Sequence, residues 1–463
     1  MPVAAVPNYL GKDFKTASPG QRFGSYLPIW TARVDQEADV RKRSEAKSRE
    51  GDEVAALLSQ GMDNAIATLR TRERKPLAGL WDKNDFASRQ AWKELCALTT
   101  EDTKRMQALL MRQQAQSCTI STDQLLRLQA TAVAPFTTGL GNEHPLENGF
   151  AFLNPYGLPY LPGSGVKGVL RQSAMELASG EWEVGDWSKD LRHEVHDRDA
   201  KDGQAGKHLF DASDIDVLFG SEALVGENHL RGVLSFWDVI PQIEGNSLMV
   251  EIMTPHQSHY YQQKDAAGST NPHDSGSPNP ISFLTVPPQS KFAFHVVCDN
   301  ARLQHLAPDL AANDRWKELL TEAFEHAFEW LGFGAKTSVG YGVMDRDTKT
   351  EAKLENAQAQ AQAAAKQAAK MASLSDNSRQ IEEYVLASKN RFEQMRGGKD
   401  KPNTEFHAKA RALSKAALEG ADWTLDEKRA AADALAEWLP KVVAVDMKDE
   451  RKKLKLAALR SES

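Results

Sequence analysis

The pattern of hydrophobic and polar positions changes twice along the chain. From residue 34 to residue 116, Ala, Leu, Glu, Lys and Arg are frequent, and Met62, Ile66 and Leu69 recur at helical spacing. The next part alternates apolar and polar positions in short runs typical of strands, at residues 121–133, 232–240, 248–253, 282–286 and 291–297. Helix-favouring residues then return, beginning with an Ala- and Gln-rich run. The pattern predicts an α+β protein whose mixed core lies between two helical parts.

The same pattern predicts the domain boundaries. We expect an N-terminal segment with a helical insertion, an α+β core, a helical linker and a helical C-terminal extension, at residues 1–120, 121–348, 349–380 and 381–463. Helices are predicted within the core at residues 168–178, 214–220 and 310–331. The order strand–loop–helix–strand–strand–helix–strand is consistent with a ferredoxin-like module. The first 30 residues predict extended chain or short strands, and the polar residues 192–207 and 260–279 predict loops.

Composition and charge narrow the classes of protein that the chain can belong to. The 463 residues are 41% hydrophobic and 26% charged, which is ordinary for globular proteins. The net charge of −7 argues against a free-standing, non-specific RNA binder but permits a local basic groove. The three cysteines, Cys96, Cys118 and Cys298, form neither a disulfide framework nor a zinc motif. We find no signal peptide or membrane-spanning run, so we expect a cytoplasmic protein. We also expect neither a metal nor a cofactor.

Two glycine-rich stretches, far apart in sequence, carry the most specific chemistry. We call residues 157–171 the first glycine-rich segment and residues 332–342 the second glycine-rich segment. Each surrounds a lysine with small residues and a nearby hydroxyl, and both are predicted to be loops. Glycines let the backbone approach a ligand with its N–H groups, and lysine adds a positive charge. Two such segments in one chain favour a phosphate backbone over a single nucleotide.

Two nucleotide-binding motifs resemble these segments but do not match them. Gly163, Gly165 and Gly168 have the G-x-G-x-x-G spacing, but Pro159 and Pro162 interrupt the strand that should precede it. The second glycine-rich segment has Ala335 where a P-loop requires glycine before the lysine. Neither segment therefore predicts dinucleotide binding or nucleotide hydrolysis.

Three blocks of the chain resemble a known family. They are residues 139–147 (Gly-Leu-Gly-Asn-Glu-His-Pro-Leu-Glu), 160–171 and 331–342. Together they resemble the RAMP proteins of CRISPR systems, and among these the family of the sixth Cmr-type subunit of type III-B effectors. Weaker matches support the resemblance at residues 6–10, 236–239, 253–256 and 280–287. The resemblance extends over about residues 125–345 and does not reach beyond residue 350.

The resemblance implies both a fold and a function. The fold would be an RRM-like, ferredoxin-like RAMP core with insertions. The function would be that of a non-catalytic subunit of a type III-B antiviral complex, holding guide RNA opposite its target RNA and contacting sister RAMP subunits, with no membrane contact. Sequence would then be read by base pairing, as in other RNA-guided systems. The residues expected to contact RNA are Gly163, Ser164, Gly165, Lys167, Gly168, Arg171, Gly334, Lys336, Thr337, Ser338, Tyr341 and His144.

Two other functions stay open for the core. RAMP relatives that process guide RNA use histidine as general acid–base, and His144, followed by Pro145 with Glu147 nearby, is the residue that could do so here. The alternative, which we favour, is a structural histidine that holds its loop by hydrogen bonds. The second alternative is a pure assembly subunit that contacts partner proteins and no RNA.

Other polar clusters predict less specific chemistry. His193, His196, Asp197 and Asp199 could suggest a metal site, but their spacing matches no ligand set, so we expect an exposed loop. Side chains of the 260–279 loop region could stack on bases or pack beneath their own loop: His256, His259, Tyr260 and Tyr261. The C-terminal extension, with its basic tail, predicts a helical appendage for protein contacts or an RNA-binding arm.

Overall fold

A computed structural model describes most of the chain. The described residues are 3–11, 13–182, 186–187, 192–196, 208–221, 229–254, 260, 278, 280–395 and 398–461. The chain divides into two compact units, Met1–Ala352 and Lys353–Ser463. The first unit is mixed α+β and the second is helical, as the hydrophobic pattern predicts. In the described part of the chain, no helix is both long and apolar enough to cross a membrane.

The strands all belong to the first unit as described. They are β1 (Leu125–Ala132), β2 (Glu143–His144), β3 (Glu147–Asn148), β4 (Phe152–Leu153), β5 (Leu158–Pro159), β6 (Arg192–His196), β7 (His208–Ser213), β8 (Gly220–Ser221), β9 (Leu230–Arg231), β10 (Leu234–Phe236), β11 (Met249–Met253), β12 (Ile281–Thr285), β13 (Lys291–Cys298) and β14 (Met344–Arg346). The five longer runs predicted as strands from residue 121 to residue 297 contain β1, β10, β11, β12 and β13.

Helices surround the strands and build the C-terminal part. In the first unit they are α1 (Pro19–Gly24), α2 (Arg33–Ser44), α3 (Arg49–Ser59), α4 (Met62–Arg70), α5 (Asp85–Cys96), α6 (Thr100–Ser117), α7 (Gly163–Leu177), α8 (Asp214–Phe219), α9 (Asn300–Leu306), α10 (Pro308–Ala311) and α11 (Arg315–His326). The remaining helices are α12 (Thr348–Ser373), α13 (Asp376–Gln394), α14 (Glu405–Glu419), α15 (Leu425–Val442), α16 (Met447–Lys453) and α17 (Leu456–Arg460). A π-helical turn, Ala327–Leu331, continues α11.

A four-stranded sheet forms the centre of the first unit. Its strand order is β10-β13-β1-β14, and all neighbouring strands are antiparallel. The helix α7 follows β1 along the chain, and α11 follows β13. On the helical face, Phe294 of β13 packs against Phe324, Phe328 and Phe333, with ring centroids 5.1–5.6 Å apart. The Ser173 hydroxyl donates to the Ala323 carbonyl at 2.7 Å and joins α7 to α11.

The expectation of extended chain over the first 30 residues is wrong at residues 8–10, which form a 3-10 helical turn, and at residues 19–24. Residues 19–24 form α1, which Ser18 and Gln21 begin with a capping box. Arg22 of this helix is buried and donates to the carbonyls of Glu94 and Ala97, which lie at the end of α5. The predicted helical stretch up to residue 116 does form α2 to α6. The hydrogen bonds of Arg22 connect the N-terminal chain to the end of α5.

The expectation of an exposed loop at residues 192–207 is wrong for its first part. Residues 192–196 form β6, which pairs with β7. His193 is buried, and its Nε2 lies 2.6 Å from the Asp214 carboxylate at the start of α8. Residues 197–207 lie outside the described part of the chain. Within that described part, no group of three or more His, Cys, Asp or Glu side chains is arranged to hold a metal ion.

The second unit has its own apolar core. Trp423, Leu435 and Leu439 are buried in it, and Trp438 is partly buried. A polar pair lies inside this core: the Nε2 of His407 in α14 is 3.0 Å from the Glu450 carboxylate in α16. The apolar spacing in these helices therefore supports a compact helical body.

Candidate nucleic-acid interface

The fold brings the two glycine-rich segments to the same end of the central sheet. Strand β1 ends at Ala132, and Ala132 pairs with Met344, the first residue of β14. The first glycine-rich segment follows β1 and leads into α7, whereas the second glycine-rich segment leads from α11 and its π-helical turn into β14. The Ala335 N–H donates to the Thr137 carbonyl at 2.8 Å and ties the second segment to the chain that leaves β1.

The first glycine-rich segment is more helical than its sequence predicts. Helix α7 begins at Gly163, whereas the sequence predicts a helix from residue 168. Gly163, Ser164 and Gly165 are therefore the first helical turn and are not a loop. The Asp238 carboxylate accepts the Gly163 N–H at 2.7 Å and satisfies one free donor at this helix end. Asp238 follows β10, so a residue 75 positions away in sequence fixes the start of the helix.

Two glycines of this segment, Gly163 and Gly168, have different structural roles. A Cβ on Gly163 would lie 2.2 Å from the Phe236 carbonyl oxygen, so Gly163 is required for the close approach of α7 to β10. A Cβ on Gly168 would meet no heavy atom within 4 Å. Gly163 is therefore structural, whereas the surface around Gly168 is open for a ligand.

The polar side chains of α7 form a basic edge beside Gly168. Ser164 and Arg171 are exposed and Lys167 is half-buried. Lys167 and Arg171 are four residues apart, so they lie on the same face of the helix one turn apart. No hydrogen bond or ion pair to either basic side chain occurs within the described residues. The helix therefore presents two adjacent positive charges.

The second glycine-rich segment has a tightly defined backbone. The Phe333 N–H donates to the Gly342 carbonyl at 3.0 Å, and the Gly342 N–H donates to the Pro135 carbonyl at 2.9 Å. A Cβ on Gly342, whose φ is +75°, would lie 1.9 Å from the Phe333 carbonyl oxygen. Lys336 is itself left-handed, at φ 60° and ψ 29°, a conformation that is costly for a residue with a side chain.

The side chain of Lys336 rests on the hairpin formed by β11 and β12. Its ammonium lies 5.3 Å from the centre of the Phe283 ring and donates to the Met253 sulfur at 3.0 Å. The Phe283 ring also packs against Tyr341, with centroids 5.6 Å apart. Sequence reasoning did not assign Met253 or Phe283 a role at this site, although both lie in the weaker blocks of the family resemblance.

The other polar groups of the second glycine-rich segment surround this lysine. Thr337 is half-buried and Ser338 is exposed, within a short helical turn, Thr337–Val339. The Tyr341 hydroxyl donates to the Glu251 carboxylate at 3.4 Å. Burial raises the pKa of Tyr341, and the adjacent Glu251 carboxylate raises it further. Gly334 is exposed, with a φ of +96°. The segment thus combines one cation, three hydroxyls and an exposed glycine.

His144 has both of its ring nitrogens engaged within the protein. Its Nε2–H donates to the Phe23 carbonyl at 2.8 Å, and its Nδ1 accepts the Leu146 N–H at 3.1 Å. Burial lowers the pKa of His144, and the charge of Lys83 lowers it further. These bonds hold a neutral ring, because a carbonyl can only accept and a backbone N–H can only donate. An RNA contact by His144 stays a prediction.

The aromatic and histidine cluster near residue 260 cannot be placed at this interface. His256, His259 and Tyr261 lie outside the described part of the chain. Their predicted stacking on bases therefore stays a prediction.

Comparison with known proteins agrees with the family resemblance. Residues 129–345 match the RAMP superfamily. The CRISPR system Cmr subunit Cmr6 of Pyrococcus furiosus is 32% identical over 235 residues, which cover 44% of this chain and 63% of that protein. The chain thus spans somewhat less than two thirds of the length of this curated relative.

Two solved structures are also similar. One is the cryo-EM structure of the type III-B Cmr-beta bound to cognate target RNA, with 15% identity, 68% of this chain and 97% of that chain covered, and a TM-score of 0.33. The other is the crystal structure of Cmr6 from Pyrococcus furiosus, with 25% identity, 48% and 97% covered, and a TM-score of 0.26. Residues 129–345 of the chain form a RAMP superfamily domain. Within that superfamily, it is homologous to Cmr6 of the type III-B Cmr complex.

Proposed function

We propose that this protein is a non-catalytic subunit of a type III-B CRISPR complex and binds the backbone of the guide RNA. The observation that carries the proposal is that two lysine-bearing, glycine-rich segments lie at the same end of the central sheet. Homology to Cmr6 supports membership of such a complex. The partners are then guide RNA, target RNA and neighbouring RAMP subunits, and the location is the cytoplasm.

We assign the core to the ferredoxin-like class. Six elements follow one another as strand, helix, strand, strand, helix, strand: β1, α7, β10, β13, α11 and β14. The strand order in the sheet, counted along the chain, is 4-1-3-2. This connectivity is that of the ferredoxin-like motif. The first glycine-rich segment spans the end of the β1–α7 connection and the first turns of α7, and the second glycine-rich segment lies in the connection from α11 to β14. The many short strands are insertions into the motif.

The proposed mechanism of binding is electrostatic. Lys167, Arg171 and Lys336 supply positive charge, and the hydroxyls of Thr337 and Ser338 donate to phosphate oxygens. Gly168 leaves the backbone open to the sugar–phosphate chain, whereas Gly334 is exposed but packs closely against the Thr137 carbonyl, 2.2 Å from where a Cβ would lie. Since these groups contact phosphates, the bases of the guide remain free to pair with the target. The ammonium of Lys336 moves from Phe283 to a phosphate when RNA binds.

The proposal includes no catalytic step. A general acid–base histidine needs a ring nitrogen that can reach the substrate, whereas both nitrogens of His144 already bond to Phe23 and Leu146. This geometry favours the structural alternative for His144 over the guide-processing one. The homology to Cmr6 agrees with a structural subunit of a complex.

The experiment that tests the proposal is RNA retention after gentle affinity purification from the native cell. We expect short RNAs with a constant repeat-derived tag to co-purify with several other subunits. The double variant Lys167→Ala/Lys336→Ala should retain less RNA. The slope of log Kobs against log salt should become shallower by about 0.7 for each lost phosphate contact.

A matched control removes the same charge elsewhere in the first unit. Lys47 and Lys104 are both exposed, and the variant Lys47→Ala/Lys104→Ala should leave RNA retention and the salt slope unchanged. Purified complex without RNA would reject the proposal and favour the assembly-subunit alternative. A salt slope that Lys167→Ala/Lys336→Ala leaves unaltered would reject these two lysines as the contacts.

A further inference from the structure

The second unit carries an excess of positive charge. Residues 353–463 contain 21 Lys and Arg against 17 Asp and Glu, whereas the whole chain contains 57 against 64. The second unit is therefore basic within an acidic protein. This positive charge could be spread evenly or concentrated on one face. The helix α16 shows that part of it is concentrated.

One face of α16 and a residue just beyond its end present four cations. Lys448, Arg451 and Lys452 are spaced i, i+3 and i+4 within α16, so they share one side of the helix, and all three are exposed. Lys455 lies two residues past the end of α16, in a left-handed conformation, and is also exposed. Within the described residues, none of these side chains forms an ion pair or hydrogen bond. We call these four residues the cationic stripe.

The fold of the second unit holds the cationic stripe outward. On the opposite side of α16, Glu450 is buried, with its carboxylate 3.0 Å from His407 and 2.8 Å from the Lys453 ammonium. Leu454 is also buried, and its carbonyl accepts the Ser414 hydroxyl at 2.6 Å. Because these contacts fix the orientation of α16, the stripe cannot turn into the core. The orientation of the charges is thus set by buried groups.

The surroundings of the cationic stripe favour a nucleic-acid backbone over a protein. Protein interfaces have an apolar centre, whereas binding to phosphates needs none. In the described part of the second unit, the one strongly exposed large apolar side chain is Phe392, which belongs to α13 and not to α16 or α17. Three of the four cations are lysines, which bind phosphate as point charges. The nearby carboxylates of Asp446 and Asp449 reduce the net charge but leave it positive.

We propose that the cationic stripe is a second RNA-binding surface, which contacts the sugar–phosphate backbone without reading its sequence. The choice of ligand rests on the proposed function, because RNA is the polyanion that a guide complex carries. With no exposed aromatic side chain in the stripe to stack on bases, its binding should be independent of sequence and strongly dependent on salt.

The test uses the full chain and a fluorescein-labelled single-stranded RNA of mixed sequence. The stripe variant replaces all four residues by Gln: Lys448→Gln, Arg451→Gln, Lys452→Gln and Lys455→Gln. The control variant removes four other exposed lysines of the second unit: Lys366→Gln, Lys389→Gln, Lys399→Gln and Lys401→Gln. Both variants lose the same net charge, so they separate a defined site from a general effect of charge. Circular dichroism checks that both variants are folded.

We expect the stripe variant to bind the RNA roughly tenfold more weakly, with a salt slope shallower by about 2 to 3. The control variant should bind like the unmodified chain. Equal losses in both variants, or no loss in the stripe variant, would overturn the proposal. So would stripe-dependent binding of labelled poly-glutamate as tight as that of RNA, because it would indicate an acidic protein partner.

The same titration with Lys167→Ala/Lys336→Ala separates this inference from the proposed function. If RNA binding depends on the cationic stripe and not on Lys167 and Lys336, the guide-binding role of the glycine-rich segments fails and the stripe stands. If it depends on the two lysines and not on the stripe, the inference fails and the proposed function stands.

Discussion

The imidazole of His144 lies parallel to the ring of Phe23, with centroids 3.7 Å apart, and donates through Nε2 to the carbonyl of the same residue at 2.8 Å. His144 belongs to the hairpin that precedes the first glycine-rich segment, and Phe23 belongs to α1. The pair thus connects the N-terminal chain to the core. A residue that looks catalytic in sequence is, in the structure, a contact between two distant parts of the fold.

This contact predicts a loss of stability on replacement of His144. His144→Ala removes a hydrogen bond to the Phe23 carbonyl and a ring contact, so the free energy of unfolding should fall by about 2 kcal/mol. Denaturant unfolding measures the change, and His305→Ala, at an exposed position, is the control with an expected change below about 0.5 kcal/mol. Metal-independent cleavage of repeat RNA that disappears in His144→Ala would instead support the guide-processing alternative.

The lowered pKa of His144 also predicts how stability depends on pH. The folded protein keeps this ring neutral, and its pKa lies below the ordinary value of 6.5. As pH falls below 6.5, the unfolded chain takes up the proton first, so the contribution of His144 to stability is lost. Unfolding between pH 8 and about pH 5 should show a smaller decline in His144→Ala than in the unmodified chain. Equal declines would contradict the assignment of this dependence to His144.

Two glycines of α7 should respond in opposite directions to alanine. Gly163→Ala forces a Cβ against the Phe236 carbonyl and should destabilise the protein by about 2 kcal/mol. Gly168→Ala adds a methyl group in open space inside a helix and should stabilise by about 1 kcal/mol. If RNA approaches the backbone at Gly168, the affinity of the protein for RNA should fall in Gly168→Ala, although this variant is more stable. Thermal unfolding and RNA titration of both variants measure these effects, and unchanged RNA affinity in Gly168→Ala would exclude such an approach.

The left-handed backbone of Lys336 predicts a difference between two substitutions that remove the same charge. Lys336→Gly relieves the conformational cost, whereas Lys336→Ala keeps it, so the glycine variant should be more stable by about 1 kcal/mol. RNA affinity should fall equally in both, because both lack the ammonium group. A glycine variant that binds RNA like the unmodified chain would show that the backbone of the segment, and not the charge, holds the ligand.

The buried pair in the second unit predicts a further dependence on pH. Burial opposes ionisation of Glu450, but the hydrogen bonds from Lys453 and His407, together with their charges, outweigh it and lower the pKa of Glu450 below 4.5. The stability that Glu450 contributes is therefore present above pH 4.5 and lost as pH falls through the lowered pKa. The hydrogen-exchange protection factors of α14 and α16 amides, which correct for the pH dependence of intrinsic exchange, should fall below pH 4.5 in the unmodified chain. In Glu450→Gln this fall should be smaller, and an identical pH profile would assign it to other groups.

The sequence predicts what is local in this fold. Alternation of apolar positions locates β1, β11, β12 and β13, and the Ala- and Gln-rich run locates α12. The lysines and glycines of the two segments are recognisable because the spacing of a few residues defines them. The basic character of α16 is equally clear from the amino-acid sequence.

The features that the sequence does not reveal have long-range causes. The start of α7 depends on Asp238, which is 75 residues away, and the neutral state of His144 depends on Phe23, which is 121 residues away. Lys336 rests on Met253, 83 residues before it. Polar residues 192–196 resemble a loop, but pairing with β7 makes them a strand. No window of sequence contains both members of such pairs, so only the tertiary structure reveals them.

The hydrogen bonds that close the second glycine-rich segment have a consequence for the thermodynamics of RNA binding. Phe333 bonds to Gly342, and Ala335 bonds to Thr137, before any ligand arrives. The conformational entropy of this segment is therefore lost when the protein folds and not when RNA binds. Calorimetry should show little ordering of the protein at this segment on association. A guide strand would therefore bind to a preformed, rigid segment. The affinity for RNA would be set by charge and shape, because no loop has to fold around the strand.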